Sequence, residues 1–242
     1  MPQFFIDENH ITGNTIRVRG DDLHHLLHVR RIKSGDGVQF RDRQGRLYQT
    51  VADDVSDDAV TCSIVSVNQQ AETEFSLCLG AAILKGKKYD QVIQKAVEIG
   101  VDVIVPLLTE RTIPDIGDKA EKKVQRWQRI ALEASKQSLR EKVPEVRDIH
   151  KYQDFIESCS DECKILAHVD PESTDLRSFL RRNEAPSSAT ILTGPEGGFS
   201  RKEVEIARRF DWNVLHTGIS QFRAETAAMV LPAIILYEWG WR

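Results

Sequence analysis

The chain of 242 residues lacks the sequence features of a membrane protein, a secreted protein or a metalloprotein. It has only four cysteines, no Cys-x-x-Cys pair, and no second pair beside Cys159 and Cys163 that could complete a zinc site. We therefore expect reduced thiols and no bound metal. No apolar run is long enough to span a bilayer, and residues 1–5 lack the basic end and long apolar stretch of a signal peptide. We expect a cytoplasmic protein with no membrane partner.

A strong charge of one sign is also missing. The formal net charge of −4 gives no global signature of nucleic-acid binding. Locally, residues 17–46 hold eight basic side chains against four acidic ones, and residues 111–147 hold ten against six. Such stretches can form a basic face on a nearly neutral chain, although a solvated mixed surface has the same composition.

The first seventy residues alternate apolar and polar positions over short stretches, which is typical of β-strands. Only residues 21–31 have the spacing of a helix, and residues 68–73 are polar without periodicity. The pattern predicts a small β-barrel domain over residues 1–72, ended by a linker. Its predicted strands are residues 15–19, 37–41, 46–51 and 59–67.

Beyond the linker, apolar strand candidates alternate with amphipathic helices, which predicts an α/β domain with a mostly parallel sheet over residues 73–242. A capping box, Ser200-Arg201-Lys202-Glu203, opens one of the helices, and Pro232 is expected to kink the last one. The predicted strands are residues 75–84, 101–108, 164–169, 189–193 and 212–216. The predicted helices are residues 90–99, 118–140, 174–182, 200–210 and 224–239.

Two polar loops stand out near the end of the chain. Gly194-Pro195-Glu196-Gly197-Gly198 directly follows the strand 189–193, and Arg223-Ala224-Glu225-Thr226-Ala227 opens the last helix. Open α/β sheets bind ligands at the carboxyl ends of their strands, so these loops form the candidate site. The glycines let the backbone approach a ligand, but neither a P-loop nor the G-x-G-x-x-G pattern is present. A tight turn without a ligand has the same local sequence.

Arg223 is the residue of the second loop that local structure explains least. Glu225 complements the helix dipole and Thr226 can bond a free amide, so helix capping accounts for both. A cation at a helix start is disfavoured, which indicates that Arg223 binds a substrate anion or an acidic partner. His24 and His28 could face one side of a helix, but no third metal ligand is evident. We interpret them as RNA-backbone contacts or plain surface.

A family resemblance covers nearly the whole chain. The segments that carry it resemble the RsmE family of bacterial 16S rRNA (uracil-N3)-methyltransferases, of the SPOUT superfamily. They are residues 22–31, 33–36, 84–86, 94–101, 126–127, 133–140, 194–200 and 223–227, in matching order.

The resemblance implies a homodimeric enzyme that uses S-adenosyl-L-methionine to methylate N3 of a specific uridine in the 16S rRNA of the small ribosomal subunit. It implies a PUA-like RNA-binding β-barrel over residues 1–72. Over residues 73–242 it implies a SPOUT methyltransferase domain with a trefoil knot at its C-terminal end, which periodicity alone would not suggest.

The resemblance also implies roles for single residues. Arg223 would stabilise the anion left when the imide proton of uracil is removed, and Glu225 is a candidate base that capping also explains. The implied cofactor-binding residues are Leu192, Gly194, Glu196, Gly197, Gly198, His216, Gly218, Ile219 and Phe222. The expected RNA contacts are Arg17, Arg19, His24, His28, Arg30, Arg31, Lys33 and Arg140.

One stretch departs from the family, because Ser220-Gln221-Phe222 stands where relatives usually carry Arg-Ile/Val-Leu. The change removes a positive charge and alters a wall of the implied cofactor site. Three alternatives remain open at this point. They are another SPOUT RNA methyltransferase acting on a ribose 2′-hydroxyl or a tRNA base, a non-catalytic RNA-binding assembly factor, and a nucleotide-phosphate binder, which the missing P-loop lysine disfavours.

Overall fold

The computed structural model describes residues 4–69, 75–113, 116–170, 173–218 and 221–240, without the side chains of Glu8, Asp21 and Asp118. The chain divides into two compact units. One comprises Met1–Glu72 with Ser135–Val143, and the other Thr73–Ala134 with Pro144–Arg242. No helix of the described residues is both long and apolar enough to cross a membrane.

The first unit is built on a six-stranded sheet. Its strands are β1 (Phe4–Ile6), β2 (Ile11–Thr12), β3 (Thr15–Val18), β4 (Gly37–Asp42), β5 (Leu47–Val55) and β6 (Val60–Asn68). They lie in the order β1-β4-β5-β6-β3-β2, antiparallel except for the β1–β4 pair. The four predicted strands are confirmed, whereas β1 and β2 were not predicted because each is too short to show alternation. Among the described residues, the edge strands β1 and β2 do not pair with each other.

Alternation along these strands produces the core of the first unit. Ile16, Val38, Phe40 and Val60 have their side chains on one side of the sheet and are at most 1% exposed. The predicted helix 21–31 is α1 (Asp21–His24), continued by a π-helical turn over His25–Val29 that buries Leu26 in the same core. The linker predicted at 68–73 lies mostly outside the described residues.

The second unit contains an eight-stranded sheet whose described pairings are all parallel, as predicted. The strands lie in the order β10-β8-β7-β13-β11-β14-β12, and β9 also pairs with β8. They are β7 (Ser76–Ala82), β8 (Val103–Leu108), β9 (Glu145–Val146), β10 (His150–Lys151), β11 (Cys163–Ala167), β12 (Thr174–Asp175), β13 (Ser188–Thr193) and β14 (Asn213–His216).

Helices cover both faces of this sheet. They are α2 (Lys88–Ile99), α3 (Ala120–Ser138), α4 (Tyr152–Ser158), α5 (Leu176–Arg182), α6 (Arg201–Arg209) and α7 (Ala224–Ile235). Buried residues of α2, α3, α5 and α7 share one core with one face of the sheet, and those of α4 and α6 share another core with the opposite face. α4 was not predicted from the sequence. α7 continues through Pro232 and becomes π-helical over Leu236–Gly240.

Strand order positions the candidate site. β13 lies between β7 and β11, and β11 lies between β13 and β14, so the carboxyl ends of β11, β13 and β14 are neighbours although their sequences are far apart. This is the kind of switch in strand order at which open α/β sheets bind ligands.

Candidate active site

A cavity of about 550 Å³ lies at the carboxyl ends of β11, β13 and β14. The two polar loops, predicted from sequence as one site, both line it: residues 194–199 follow β13, and residues 221–225 lead into α7. The remaining walls come from Ala167, His168 and Val169 after β11, from Leu215 and Thr217 of the β14 end, from Lys88 and Arg111, and from Ala227 and Leu231 of α7. Its volume is within the usual range for small-molecule sites.

The glycine loop leaves little space for a side chain at Gly194. A Cβ atom on Gly194 would lie 3.2 Å from the backbone nitrogen of Phe199 and 3.3 Å from Gly198. Gly198 has φ +66°, a conformation that glycine adopts without strain, and its N–H donates to the carbonyl of Pro195 at 2.8 Å. At its three glycines the loop therefore presents backbone to the cavity.

Arg111 braces the glycine loop from outside the two motifs. It lies just beyond the carboxyl end of β8, and its Nη1 donates to the carbonyl oxygen of Gly197 at 2.7 Å. A Cβ on Gly197 would lie 3.3 Å from the Cδ of Arg111, so the arginine stem runs closely across the glycine backbone.

A partly buried hydrogen-bond network holds Glu110, the residue before Arg111. The Glu203 carboxylate, in a residue that is 5% exposed, accepts from the backbone N–H of Glu110 at 2.8 Å and from that of Ser200 at 2.8 Å. The Ser200 hydroxyl donates to the carboxylate of Glu110 at 2.6 Å. The predicted capping box of α6 is confirmed, and it also anchors the loop after β8.

Arg223 and Glu225 lie side by side at the start of α7, in different environments. Arg223 occupies the N-cap position with an exposed side chain, and its guanidinium donates no hydrogen bond to a described residue. Glu225 is half-buried, and Lys88 Nζ lies 3.2 Å from its Oε1. The pKa of Glu225 is lowered by a hydrogen bond from its own backbone N–H and also by Lys88 and Arg223, so it is ionised at neutral pH.

His168 is a titratable group in the cavity that the sequence reading did not single out. It follows β11, and its backbone N–H donates to the carbonyl of Leu215 at 3.0 Å. Burial lowers its pKa from the ordinary 6.5, Arg208 and Arg111 lower it further, and Asp170 opposes them. The imidazole is therefore mainly neutral at pH 7.

The other residues expected to bind cofactor are placed differently. Phe222 lines the cavity, whereas Leu192 is fully buried in the core shared with α4 and α6, so its side chain does not reach the cavity. His216 ends β14 next to the lining residues and accepts a hydrogen bond at Nδ1 from the Gly218 N–H at 3.0 Å. Ile219 lies outside the described residues, as does Ser220 of the departing stretch.

The residues expected to bind RNA lie in the first unit. Arg17, Arg19, His24, His28, Arg31 and Lys33 are exposed, and Arg30 and Arg140 are half-buried. The rings of His24 and His28 are 4.4 Å apart between centroids. In the part of the chain that the structure describes, no three His, Cys, Asp or Glu side chains lie close enough together to hold one metal ion.

Three charged or titratable residues that line the cavity were not assigned to the site from the sequence. Arg111 and His168 each follow the carboxyl end of a parallel strand, and Lys88 begins the helix after β7. The rule that ligands bind at strand ends could have identified them if the strand order had been known.

Comparisons with known proteins agree with this architecture. Residues 71–236 match a family model described as an RNA methyltransferase domain, and residues 18–65 match one described as an RNA methyltransferase PUA domain. Ribosomal RNA small subunit methyltransferase E of Bacillus subtilis is 29% identical over 231 residues, which are 93% of this chain and 90% of the relative. The protein of the same name from Mesomycoplasma hyopneumoniae is 29% identical, with 96% of this chain and 97% of the relative covered.

Solved structures extend the comparison to the whole fold. A ribosomal RNA small subunit methyltransferase E from Neisseria gonorrhoeae, bound to S-adenosyl methionine, has a TM-score of 0.84 and 26% identity, with 99% of this chain and 98% of that chain covered. A putative methyltransferase from Legionella pneumophila, in complex with the bound cofactor SAM, has a TM-score of 0.82 and 25% identity, with 98% and 97% covered. With the PUA and methyltransferase models both matched, the chain belongs to the RNA methyltransferase family, whose members include ribosomal RNA small subunit methyltransferase E.

Proposed function

We propose that this chain transfers a methyl group from S-adenosyl-L-methionine to N3 of one uridine in the 16S rRNA of the small ribosomal subunit. The observation that supports this most directly is that the glycine loop and the Arg223 loop line the same cavity at the carboxyl ends of β11, β13 and β14. The ribosomal RNA small subunit methyltransferases similar to the chain over nearly its whole length support the substrate.

The cavity suits the cofactor on the evidence of its own residues. Gly194, Gly197 and Gly198 carry no side chains, so backbone groups there can contact a ligand directly. Lys88 supplies positive charge for a carboxylate, and Phe222 and Leu231 supply apolar contacts. We propose that residues 194–198, Thr217 and Phe222 hold the cofactor, which supplies a methyl group on a positively charged sulfur.

We propose that Arg223 acts on the uracil ring. Attack by N3 requires loss of its imide proton to water, which leaves negative charge shared between the ring and its carbonyl oxygens. The Arg223 guanidinium lines the cavity and is free of hydrogen bonds to described residues, so it can donate to these oxygens. A fixed cation there lowers the pKa of the imide and stabilises the charge as it develops.

Glu225 has a different proposed part. Its lowered pKa and its ion pair with Lys88 make it a poor proton acceptor at neutral pH. We propose that Glu225 instead holds Lys88 at the cavity wall and joins α2 to the start of α7. Because Arg223 is the N-cap of α7 and Glu225 lies in its first turn, the ion pair between Glu225 and Lys88 also holds the backbone from which the Arg223 side chain starts.

We propose that residues 1–72 form the RNA-binding domain and residues 73–242 the catalytic domain. The exposed basic residues around α1 and β3 support the first assignment, because phosphate contacts dominate RNA affinity. From the family resemblance we further propose a C-terminal trefoil knot and a homodimer. The exposed Ile234 and Tyr237 side chains on the last helical segment suit the dimer. A ribosomal substrate places the reaction in the cytoplasm.

The proposal is tested by incubating the protein with labelled S-adenosylmethionine and small subunits from cells that lack this methylation, followed by nucleoside mass analysis. We expect labelled 3-methyluridine from the wild type. We expect Arg223→Ala to keep its cofactor affinity and lose roughly a hundredfold or more in rate, as for removal of a transition-state hydrogen-bond donor.

Other outcomes of this assay would contradict the proposal in distinct ways. A different methylated nucleoside would favour another SPOUT RNA methyltransferase, and cofactor binding without any product would favour a non-catalytic assembly factor. An Arg223→Ala variant with full activity would remove Arg223 from the mechanism.

A further inference from the structure

The peptide group that joins Gly197 to Gly198 is held at both ends. Its carbonyl oxygen accepts from Nη1 of Arg111 at 2.7 Å, and its N–H donates to the carbonyl of Pro195 at 2.8 Å. The two partners together define one orientation of this peptide group inside the loop that lines the cavity.

The loop sequence cannot define that orientation by itself. Flipping a peptide group changes ψ of the residue before it and φ of the residue after it, and here both residues are glycine, which tolerates either sign of φ. The orientation is therefore set by the hydrogen-bond partners. The bond from Arg111 is charge-assisted, and such bonds are about twice as strong as the neutral kind made with Pro195.

Arg111 is well placed to select the orientation because it is itself held. Its stem runs across Gly197, where a Cβ would lie 3.3 Å from its Cδ. The preceding residue, Glu110, is tied through its backbone and its carboxylate to Glu203 and Ser200 at the start of α6. These contacts hold the backbone that precedes Arg111, and the guanidinium itself is bonded to the Gly197 carbonyl.

We propose that Arg111 is a positioning residue for cofactor binding, which selects the orientation of the 197–198 peptide group that S-adenosylmethionine requires. The inference rests on the proposed use of this cavity for the cofactor. Without Arg111 the loop populates flipped orientations as well, and the apparent affinity falls in proportion to the fraction that remains competent. A competent fraction of about one tenth gives a loss of about tenfold.

The test compares Arg111→Ala, Arg111→Lys and a control, Arg201→Ala. Arg201 is a highly exposed arginine of α6 that pairs with Glu205 and does not line the cavity. Binding of S-adenosylmethionine and of decarboxylated S-adenosylmethionine is measured by calorimetry and by stopped-flow kinetics, with thermal stability measured in parallel.

We expect Arg111→Ala to weaken both ligands by about tenfold, mainly through the association rate constant, because the free protein must first reach the competent orientation. Arg111→Lys, which keeps a cationic donor for the Gly197 carbonyl, should recover most of the affinity. Arg201→Ala should bind both ligands like the wild type.

Three results would overturn the inference. Unchanged affinity in Arg111→Ala would show that Pro195 alone orients the peptide group. A loss confined to the ligand that keeps its carboxylate, or a loss found in the dissociation rate constant, would show direct contact between Arg111 and the cofactor. A wild type that binds neither ligand would overturn the proposed function and this inference with it, whereas binding without methyl transfer leaves the inference standing.

Discussion

Gly80 is a position where one added methyl group should disturb the core packing beneath the glycine loop. Gly80 of β7 lies directly opposite Leu192 of β13, two residues before the glycine loop. A Cβ at position 80 would collide with Cδ2 of Leu192 and lie 3.1 Å from Leu107 and 3.4 Å from Phe155. All three of these side chains are buried, so Leu192 has little room in which to rotate away.

The size of the effect follows from overpacking. Inserting a methyl group into a filled core costs about 1–3 kcal/mol, so Gly80→Ala should lower the melting temperature by about 2–4 °C for each kcal/mol in a unit of this size. Leu192→Ala alone should cost about 2–5 kcal/mol because it leaves a cavity. In the double variant the new methyl group occupies part of that cavity. We therefore expect its cost to fall about 1–2 kcal/mol below the sum of the single variants.

Tryptophan fluorescence suits this measurement because all four tryptophans lie in the second unit. The wild type, the two single variants and the double variant form a double-mutant cycle. Urea unfolding of these four proteins gives the free energy of unfolding of each. Additive effects of the two substitutions would refute the reasoning, since they would show that the methyl group at position 80 and the Leu192 side chain do not compete for the same space. Wild-type stability in Gly80→Ala would refute it more simply.

Two further predictions concern charge. Charge reversal at Arg30 and Arg31 should weaken small-subunit binding by about tenfold or more, as measured by filter binding. Cofactor affinity, measured by calorimetry, should be unchanged. Equal loss of small-subunit binding and cofactor binding would indicate misfolding. The pKa of His168 is lowered in the folded protein. Between that lowered pKa and about 6.5, the unfolded chain therefore binds more protons than the folded protein. The free energy of unfolding should consequently fall as pH decreases through this range. His168→Gln should flatten that fall in urea unfolding from pH 8 to pH 5, and an unchanged slope would contradict the pKa shift.

Local patterns predicted most of the elements because they depend on residues only a few positions apart. Alternation in residues 37–41, 46–51 and 59–67 and helical spacing in residues 118–140 each reflect one buried face. The structure confirms them as β4, β5, β6 and α3. The shortest strands were not predicted, since β1 has three residues and β2 has two, which is too few to show alternation. The capping box at Ser200 was readable because its two partners are three residues apart.

The sequence by itself determined the parallel α/β pattern and the two loops that form the candidate site, because strand ends, glycine runs and helix starts are local features. Only the tertiary structure decided which other residues join them. Arg111 reaches Gly197 across 86 positions, and Lys88 reaches Glu225 across 137. Such contacts depend on β13 lying between β7 and β11, and strand order is set by packing over the whole sheet, which no local window of sequence contains.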